Sequence, residues 1–457
     1  MFALLNRRRP YTFILLITLT LLLAIYTASS ERRTFKILNT IGIHSKSSKS
    51  AAIFPPLKDG CPNDHIPPVP TFPASLLGDV QIVMKTGIGE RAKTEAFLET
   101  YGSVVGNVLI VSDAEDRIGG HRVIDVLAEL PPSYAVNNSD WEYYVNQQEA
   151  LKAGEKVGKS HEGWRLDRFK FLPMVEKAFE LRPEAKWYVF IEADIYYFWD
   201  TLFRMLDNLD PNTAHYLGTP TPGAHNRWFA YGGGGTVLSN RLVRDLLQNG
   251  KKKVSRDPKY EFWAKDDCCG DAVLAYVIHA ELGNRLESMY PTMSGEMVQW
   301  LKTPREKWCV PLLGLHRVSP EQMKRLWKWE RCRPYTETPI TYATILDFTL
   351  KPLLKENPRR DWNNGADHKL PEENLAHESV RFCEIACADN STCLQYRYSH
   401  GRCYLSDFVQ AGDKEEDLSK EAFSGWDMEA LERLGYNPEK DPSTYCSAAE
   451  WLIPKGT

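Results

Sequence analysis

Apolar runs of strand length alternate with longer amphipathic stretches along residues 76–350. The pattern predicts strands at 80–86, 107–112 and 187–192. It predicts helices at 91–101, 122–130, 164–181, 199–209, 240–247 and 272–282. This succession of strands and helices predicts an α/β domain with a mostly parallel sheet flanked by helices.

The run from Trp187 to Asp194 is an apolar strand that ends on two carboxylates. Because side chains alternate along an extended chain, Glu192 and Asp194 face the same side and can share one cation or one ligand. Acids at the carboxyl end of a buried strand lie where open α/β sheets bind ligands. The simpler alternative is two solvated acids at a strand end.

Three later segments carry residues suited to a ligand-binding or catalytic site. The glycines from Gly232 to Gly235 permit either a flexible turn or a close approach of backbone to ligand. Asp271 precedes an apolar helix, so it is predicted to cap that helix, to act in chemistry, or to do both. His316 ends a short strand, and a lone histidine is more often a structural residue than a metal ligand.

The N-terminus combines a basic cluster, Arg7 to Arg9, with an uncharged stretch at 11–28 that is long enough to cross a bilayer. The positive-inside rule places residues 1–10 in the cytoplasm and everything after the span outside the cytosol, as in a type II membrane protein. A cleaved signal peptide is the alternative, since Ala28 is followed by two serines. Residues 29–75 are rich in serine and proline, which predicts a stem.

Composition narrows the class of protein further. The formal net charge of -4 is small for 457 residues, so no nucleic-acid partner is expected. All ten cysteines follow the predicted span, which favours disulfides in an oxidising compartment. Zinc is disfavoured, because paired short spacings with intervening histidines are missing. Asn137 and Asn390 begin glycosylation sequons.

The C-terminal residues 376–457 are predicted to form a small α+β unit after a polar linker at 351–375. Four clustered cysteines are expected to crosslink it, because its core is too small to be stable alone. They are Cys383, Cys387, Cys393 and Cys403.

Five segments, in their order and spacing, resemble the fringe-like β1,3-glycosyltransferases, which are type II Golgi membrane enzymes with a GT-A fold. They are Gly163–Asp167, Trp187–Asp194, Phe229–Gly235, Gly270–Tyr276 and Leu315–Pro320. The resemblance covers about residues 80–335 and implies a GT-A domain at 76–350. It implies transfer of a hexose or N-acetylhexosamine from a UDP-sugar to a hydroxyl of a glycan or glycoprotein, with a β1,3 linkage expected.

The resemblance also implies roles for individual residues. Asp194 and His316 would ligate Mn²⁺, and Glu192, where the family usually has aspartate, would lie near the nucleotide ribose. Asp271 would be the catalytic base, with Asp266 or Asp267 as the alternatives. The remaining residues expected to contact the nucleotide sugar are Lys85, Thr86, Asp113, Asp167, Gly233 and Gly234.

Residues 376–457 resemble a PAN/apple module, a class that binds carbohydrate or protein, and an appendage that only packs on the catalytic domain is the alternative. Glu192 motivates a rival interpretation, a catalytically inactive membrane-tethered carbohydrate-binding protein. A retaining transferase that uses GDP-mannose is a second rival. An extracellular structural protein would explain the anchor and the disulfides but not the series of five segments.

Overall fold

The computed structural model describes residue 61 and residues 74–456, except residues 104, 106, 334–337, 418–420 and 453. They belong to one compact unit, Ala52–Thr457. The predicted cytoplasmic tail, membrane span and nearly all of the stem lie outside the described residues. Among the helices that are described, none is long and apolar enough to cross a membrane.

Helices and strands are numbered here in chain order. The helices are α1 (Arg91–Glu99), α2 (Ser139–Lys152), α3 (His161–Arg165), α4 (Phe171–Leu181), α5 (Trp199–Asp207), α6 (Asn240–Leu246), α7 (Pro258–Asp266), α8 (Gly270–Leu282), α9 (Pro320–Arg331), α10 (Leu346–Thr349), α11 (Val380–Ala388) and α12 (Met428–Arg433). The strands as far as the glycine run are β1 (Val80–Lys85), β2 (Val108–Ser112), β3 (Asp116–Ile118), β4 (His121–Asp125), β5 (Trp187–Glu192), β6 (Tyr196–Tyr197), β7 (Tyr216–Gly218), β8 (Pro220–Pro222) and β9 (Trp228–Ala230). The later strands are β10 (Thr236–Ser239), β11 (Glu287–Ser288), β12 (Thr303–Pro304), β13 (Gly314–Leu315), β14 (Arg359–Arg360), β15 (Trp362–Asn363), β16 (His368–Lys369), β17 (Gln395–Ser399), β18 (Arg402–Ser406), β19 (Phe408–Val409), β20 (Asp413–Lys414), β21 (Ala422–Trp426) and β22 (Lys455–Gly456).

Within the described residues, nine strands form the main sheet in the order β22-β11-β7-β10-β5-β1-β2-β4-β3. Its centre is parallel, because β1 pairs in parallel with both β5 and β2, and β2 with β4. Strand β10 runs antiparallel to both β5 and β7. The predicted α/β sheet is confirmed, with parallel strands at its centre and antiparallel pairs toward its edges.

Both faces of the sheet centre are covered, which explains why its strands are apolar throughout. In β1, Ile82 and Met84 pack with the core on the side of α1, α5 and α9, whereas Val83 packs with the opposite core on the side of α4 and α8. The same alternation continues in β5, where Val189 and Phe190 enter opposite cores.

The helix predicted at 122–130 is wrong, because His121–Asp125 forms β4 instead. Val123 and Asp125 are buried while Arg122 is exposed, a period of two that suits a strand. Asp125 Oδ1 then accepts hydrogen bonds from the backbone N–H groups of Leu127 and Ala128, which turns the chain after the strand. Pairing with β2 and β3 therefore decides the structure of this segment.

Two other helices differ from the pattern. Helix α2 was not predicted, and the helix predicted at 164–181 is divided into α3, a 3₁₀ turn at Leu166–Phe169, and α4. Pro173 lies in the first turn of α4, where its missing N–H costs no intrahelical hydrogen bond.

The C-terminal residues form an antiparallel sheet in the order β14-β21-β17-β18-β16, with α11 packed beside it. Two disulfides, Cys383–Cys403 and Cys387–Cys393, join α11 to the chain of this sheet. Residues 359–369, predicted as part of a linker, supply β14, β15 and β16. A third disulfide, Cys309–Cys446, and pairing of β12 with β19 attach this unit to the α/β domain.

All ten cysteines are disulfide-bonded, which confirms the prediction of disulfides over zinc. The remaining two pairs are Cys61–Cys332 and the sequence neighbours Cys268–Cys269.

Candidate active site

The parallel strands β1, β2 and β5 end at one edge of the sheet. Lys85 is in register with Glu192 on β5 and with Val111 on β2. The residues that follow these strands, among them Thr86, Asp113 and Asp194, therefore emerge side by side, as expected for the carboxyl edge of a parallel sheet.

Glu192, Asp194 and His316 form an acid–histidine cluster at this edge. His316 Nε2 lies 3.6 Å from Glu192 Oε2 and 3.6 Å from Asp194 Oδ1. Pairing of β6 with β13 brings the segment after Asp194 alongside the segment before His316. Val318 N–H donates to the backbone oxygen of Asp194 over 2.9 Å, which continues the contact past the histidine.

The chemistry of the acid–histidine cluster fits a divalent cation. Its three possible ligand atoms all lie within 4.8 Å of one another. Two atoms that bind one octahedral cation at about 2.1 Å lie about 3 Å apart when adjacent, so a small inward movement suffices. Carboxylate oxygens suit Mn²⁺, and imidazole is a common nitrogen ligand of transition metals. A second group among the described residues, Asp267 with Cys268 and Cys269, does not fit, because its two sulfurs form a disulfide.

Glu192 therefore lies in the cluster itself and is a third potential ligand beside Asp194 and His316. Its other oxygen, Oε1, pairs with Lys85 Nζ over 3.1 Å. Burial by itself would raise the pKa of Glu192, but the ammonium of Lys85 and the imidazole of His316 outweigh burial and hold that pKa well below its usual range. The carboxylate is thus ionised and available to a cation at neutral pH.

A network of lysines and acids supports the edge behind the cluster. Lys85 Nζ also pairs with Asp167 Oδ2 over 2.8 Å. Lys170 Nζ joins Asp167 Oδ1 over 2.7 Å to Asp113 Oδ2 over 3.0 Å, and it donates to the backbone oxygen of Thr86. The network thus brings together four residues that the family resemblance predicts to contact the nucleotide sugar: Lys85, Thr86, Asp113 and Asp167.

Asp271 lies in the first turn of α8, whose N-cap is Cys269 rather than Asp271. Its Oδ2 accepts a hydrogen bond from Gly232 N–H over 2.8 Å, and its Oδ1 accepts from Ala272 N–H over 3.0 Å. Burial raises the pKa of Asp271 to about 6, and the negative charge of Glu192 adds to that increase. Asp271 is therefore ionised at neutral pH but more basic than an ordinary aspartate.

The two alternative bases have different surroundings. Asp266 is exposed at the end of α7. Asp267 Oδ1 accepts a hydrogen bond from Cys269 N–H, which occupies it in the turn before α8. Asp271 alone of the three combines burial with a backbone hydrogen bond from the glycine run, so the surroundings favour Asp271 as the base.

The glycine run separates Asp271 from the acid–histidine cluster. A Cβ added at Gly232 would lie 3.0 Å from Glu192 Oε1 and 3.3 Å from Asp271 Oδ2, so the backbone here passes between the two carboxylates. A Cβ at Gly233 would lie 2.4 Å from His316 Cε1, and Gly235 has a φ of +74° against the ring of Tyr197. The glycines therefore let the backbone pass close to side chains of the site, while their predicted approach to a ligand stays a prediction.

Gly234 lies on the far side of this turn from the cluster. A Cβ there would lie 2.5 Å from Thr219 Oγ1, and its carbonyl oxygen accepts a hydrogen bond from the hydroxyl of Tyr197. Gly234 thus shapes the turn, whereas Gly232 lies next to Glu192 and Gly233 lies next to His316.

Three residues of this site were missed by the sequence analysis. Lys170 follows Asp167 by three positions in a helical segment, and that spacing was a usable signal. Tyr231, whose hydroxyl lies 3.3 Å from His316 Nδ1, stands directly before the glycine run. Lys93, 2.9 Å from Asp194 Oδ2, gives no local signal, because the two residues are 101 positions apart.

Residues 148–294 match the Fringe-like family model. This segment supports a relationship to fringe-like glycosyltransferases and, with it, glycosyl transfer in general. It contains six of the candidate residues, Asp167, Glu192, Asp194, Gly233, Gly234 and Asp271, and it excludes Lys85, Thr86, Asp113 and His316.

No curated protein matches the chain. Among solved structures, a glycosyltransferase involved in the glycosylation of the major capsid of PBCV-1 is similar, with 13% identity and a TM-score of 0.24 over 54% of this chain and 99% of that chain. The glycosyltransferase GlyE of Streptococcus pneumoniae TIGR4 is similar with 12% identity and a TM-score of 0.25, over 60% of this chain and 64% of that chain. At these TM-scores the likeness says nothing about the activity of this chain.

Proposed function

We propose that this chain is an inverting glycosyltransferase that moves a hexose or N-acetylhexosamine from a UDP-sugar to a hydroxyl of a glycan or glycoprotein, with Mn²⁺ as cofactor. The observation that carries the proposal is the placement of a basic carboxylate, Asp271, across one glycine backbone from the acid–histidine cluster. A β1,3 linkage is the expected product, by resemblance to the fringe-like enzymes.

The cluster is suited to the leaving-group side of the reaction. Asp194, His316 and Glu192 are the residues that would hold the cation. A bound Mn²⁺ supplies Lewis-acid stabilisation of the negative charge that develops on the departing diphosphate. Lys85 keeps the Glu192 carboxylate ionised and fixes its position.

Asp271 is suited to the acceptor side. Its carboxylate takes the proton from the acceptor hydroxyl as the bond to the anomeric carbon forms. Backbone N–H groups of Gly232 and Ala272 hold the carboxylate in place, while burial keeps it basic. Attack on the face opposite the leaving group, by a single displacement through an oxocarbenium-like state, inverts the anomeric centre.

The cellular location is also a proposal, based on the N-terminal sequence and on the family resemblance. We place the protein in the Golgi membrane as a type II protein, held by residues 11–28, with its catalytic part in the lumen. Its five disulfides support an oxidising compartment. We also propose that the C-terminal unit is a PAN/apple-like module that binds glycan.

The test is a screen of UDP-sugars and GDP-mannose against the full-length chain in detergent, with Mn²⁺ or with EDTA, and with a panel of glycan acceptors. We expect nucleotide release that needs both Mn²⁺ and one acceptor class, and a product of inverted anomeric configuration by NMR. Glycan binding without release from any UDP-sugar would support the binding-protein alternative. A product of retained configuration formed from GDP-mannose would support the retaining alternative.

A further inference from the structure

Lys93 on helix α1 reaches the acid–histidine cluster through an ion pair with Asp194. Its ammonium lies 2.9 Å from Asp194 Oδ2 and 2.9 Å from Glu90 Oε2. Glu90 Oε1 pairs in turn with Lys159 over 2.8 Å. Glu90 thus holds the side chain of Lys93 toward the edge of the sheet, where solvent still reaches part of it.

The two oxygens of Asp194 have different partners. Oδ1 faces His316 Nε2, whereas Oδ2 faces Lys93 Nζ. A cation held by Oδ1 and the imidazole would therefore have the ammonium of Lys93 next to it, with the carboxylate between them. The oxygens of a diphosphate bound to that cation would come within reach of the ammonium.

A lysine ammonium has three N–H donors and no acceptor. Within the described residues, carboxylates of Asp194 and Glu90 take two of the donors of Lys93. The third donor remains for a phosphate oxygen, and lysine binds phosphate as a compact point charge.

We propose that Lys93 binds the diphosphate of the nucleotide donor. This inference rests on the proposed function, because it assigns one further residue to the donor site. It gives Lys93 a role distinct from that of Lys85, which contacts Asp167 and Glu192 behind the cluster.

The test compares Lys93→Met with Lys159→Met in the full-length chain. Lys159 is the matched control, because it is bound to Glu90 as Lys93 is but its ammonium pairs only with that carboxylate among the described residues. Titration calorimetry measures the affinity for Mn²⁺ alone, and then for UDP and for uridine in saturating Mn²⁺.

We expect Lys93→Met to weaken UDP binding by about 10- to 100-fold, the loss typical of one hydrogen bond to a charged group. Uridine and Mn²⁺ binding should not weaken, since neither involves a phosphate. Lys93→Arg should recover part of the UDP affinity, and Lys159→Met should stay within about twofold of the unaltered chain.

Two outcomes would overturn this inference alone: UDP affinity unchanged in Lys93→Met, or Mn²⁺ affinity reduced by the same factor as UDP affinity. The second would mean that Lys93 only positions Asp194. Absence of UDP binding by the unaltered chain in Mn²⁺ would instead overturn the proposed function together with this inference.

Discussion

Replacement of Asp271 by asparagine tests the proposed chemistry most directly. Asparagine has nearly the same shape, and its oxygen accepts one backbone hydrogen bond, but it does not accept a proton from a hydroxyl. General-base catalysis contributes about 10²- to 10⁴-fold, so kcat should fall by that factor. The affinity for UDP in Mn²⁺ should not change, because the hydrogen bonds of Asp271 go to Gly232 and Ala272, not to the acid–histidine cluster.

The pH dependence provides a second measurement on the same residue. Burial raises the pKa of Asp271 to about 6, so the base is protonated below that pH and ionised above it. The kcat/KM of the unaltered chain, which reports groups of the free enzyme, should therefore be constant above about pH 7 and fall about tenfold per pH unit below pH 6. An unperturbed aspartate, with a pKa near 3.9, would keep full activity to about pH 5.

The assay is acceptor-dependent release of UDP, measured from pH 4.5 to pH 8 over a range of substrate concentrations, which gives both kcat and kcat/KM. Asp266→Asn and Asp267→Asn are the matched controls, since they alter the neighbouring acids without touching Gly232. If Asp271→Asn retains a kcat near that of the unaltered chain, the assignment of the base is wrong. If kcat instead falls by that factor in Asp267→Asn and not in Asp271→Asn, Asp267 is the catalytic base.

Three further substitutions test the cation site. Asp194→Asn should weaken Mn²⁺ binding and Mn²⁺-dependent UDP binding by at least about tenfold, and unchanged metal affinity by calorimetry would refute its role. Gly233→Ala should also weaken Mn²⁺ binding, because the new methyl would lie 2.4 Å from His316 Cε1 and displace the imidazole. Glu192→Asp should weaken Mn²⁺ binding several-fold, because the shorter side chain does not reach Lys85 and His316 together; tighter binding would show that aspartate is the better ligand here.

The Gly233→Ala prediction needs a control for the general effect on the backbone of replacing a glycine by alanine. Gly158→Ala serves, because a Cβ at Gly158 meets no atom within 4 Å. It should leave both Mn²⁺ affinity and the melting temperature nearly unchanged. If Gly233→Ala behaves in the same way, the histidine tolerates the methyl and the packing argument fails.

The candidate site was predictable where the chemistry is local to one strand. Alternation predicted that Glu192 and Asp194 would lie together, and both carboxylates lie in the cluster, although β5 ends at Glu192 and Asp194 lies in the turn that follows. The approach of His316, 122 residues further along the chain than Asp194, followed only from the resemblance, since no local pattern marks a lone histidine as a ligand. The distance of Lys93 from Asp194 depends on how α1 packs against the sheet, and no local residue pattern predicts that packing.

The fold was predictable where the apolar runs were long. Strands β1, β2 and β5 were found within a residue or two, because each is buried on both faces. Residues 121–125 were misassigned, since a short segment with one exposed arginine fits a helical period as well as a strand. The hydrogen bonds with β2 on one side and β3 on the other select the strand, and the residue pattern of this short segment does not show them.

The balance of charges at the sheet edge would favour a divalent cation in the proposed site. Five carboxylates lie close to three ammonium groups at this edge. Glu90 and Lys159 are left out of this count, because they form an ion pair whose charges cancel. The counted groups therefore carry two net negative charges when His316 is neutral. The carboxylates are those of Asp113, Asp167, Glu192, Asp194 and Asp271, and the ammonium groups are those of Lys85, Lys93 and Lys170. A diphosphate would be repelled by that balance, whereas one divalent cation cancels it and leaves the ammonium of Lys93 to attract the phosphates. The order of binding follows from this: Mn²⁺ affinity should be measurable without nucleotide, and UDP affinity should depend steeply on Mn²⁺.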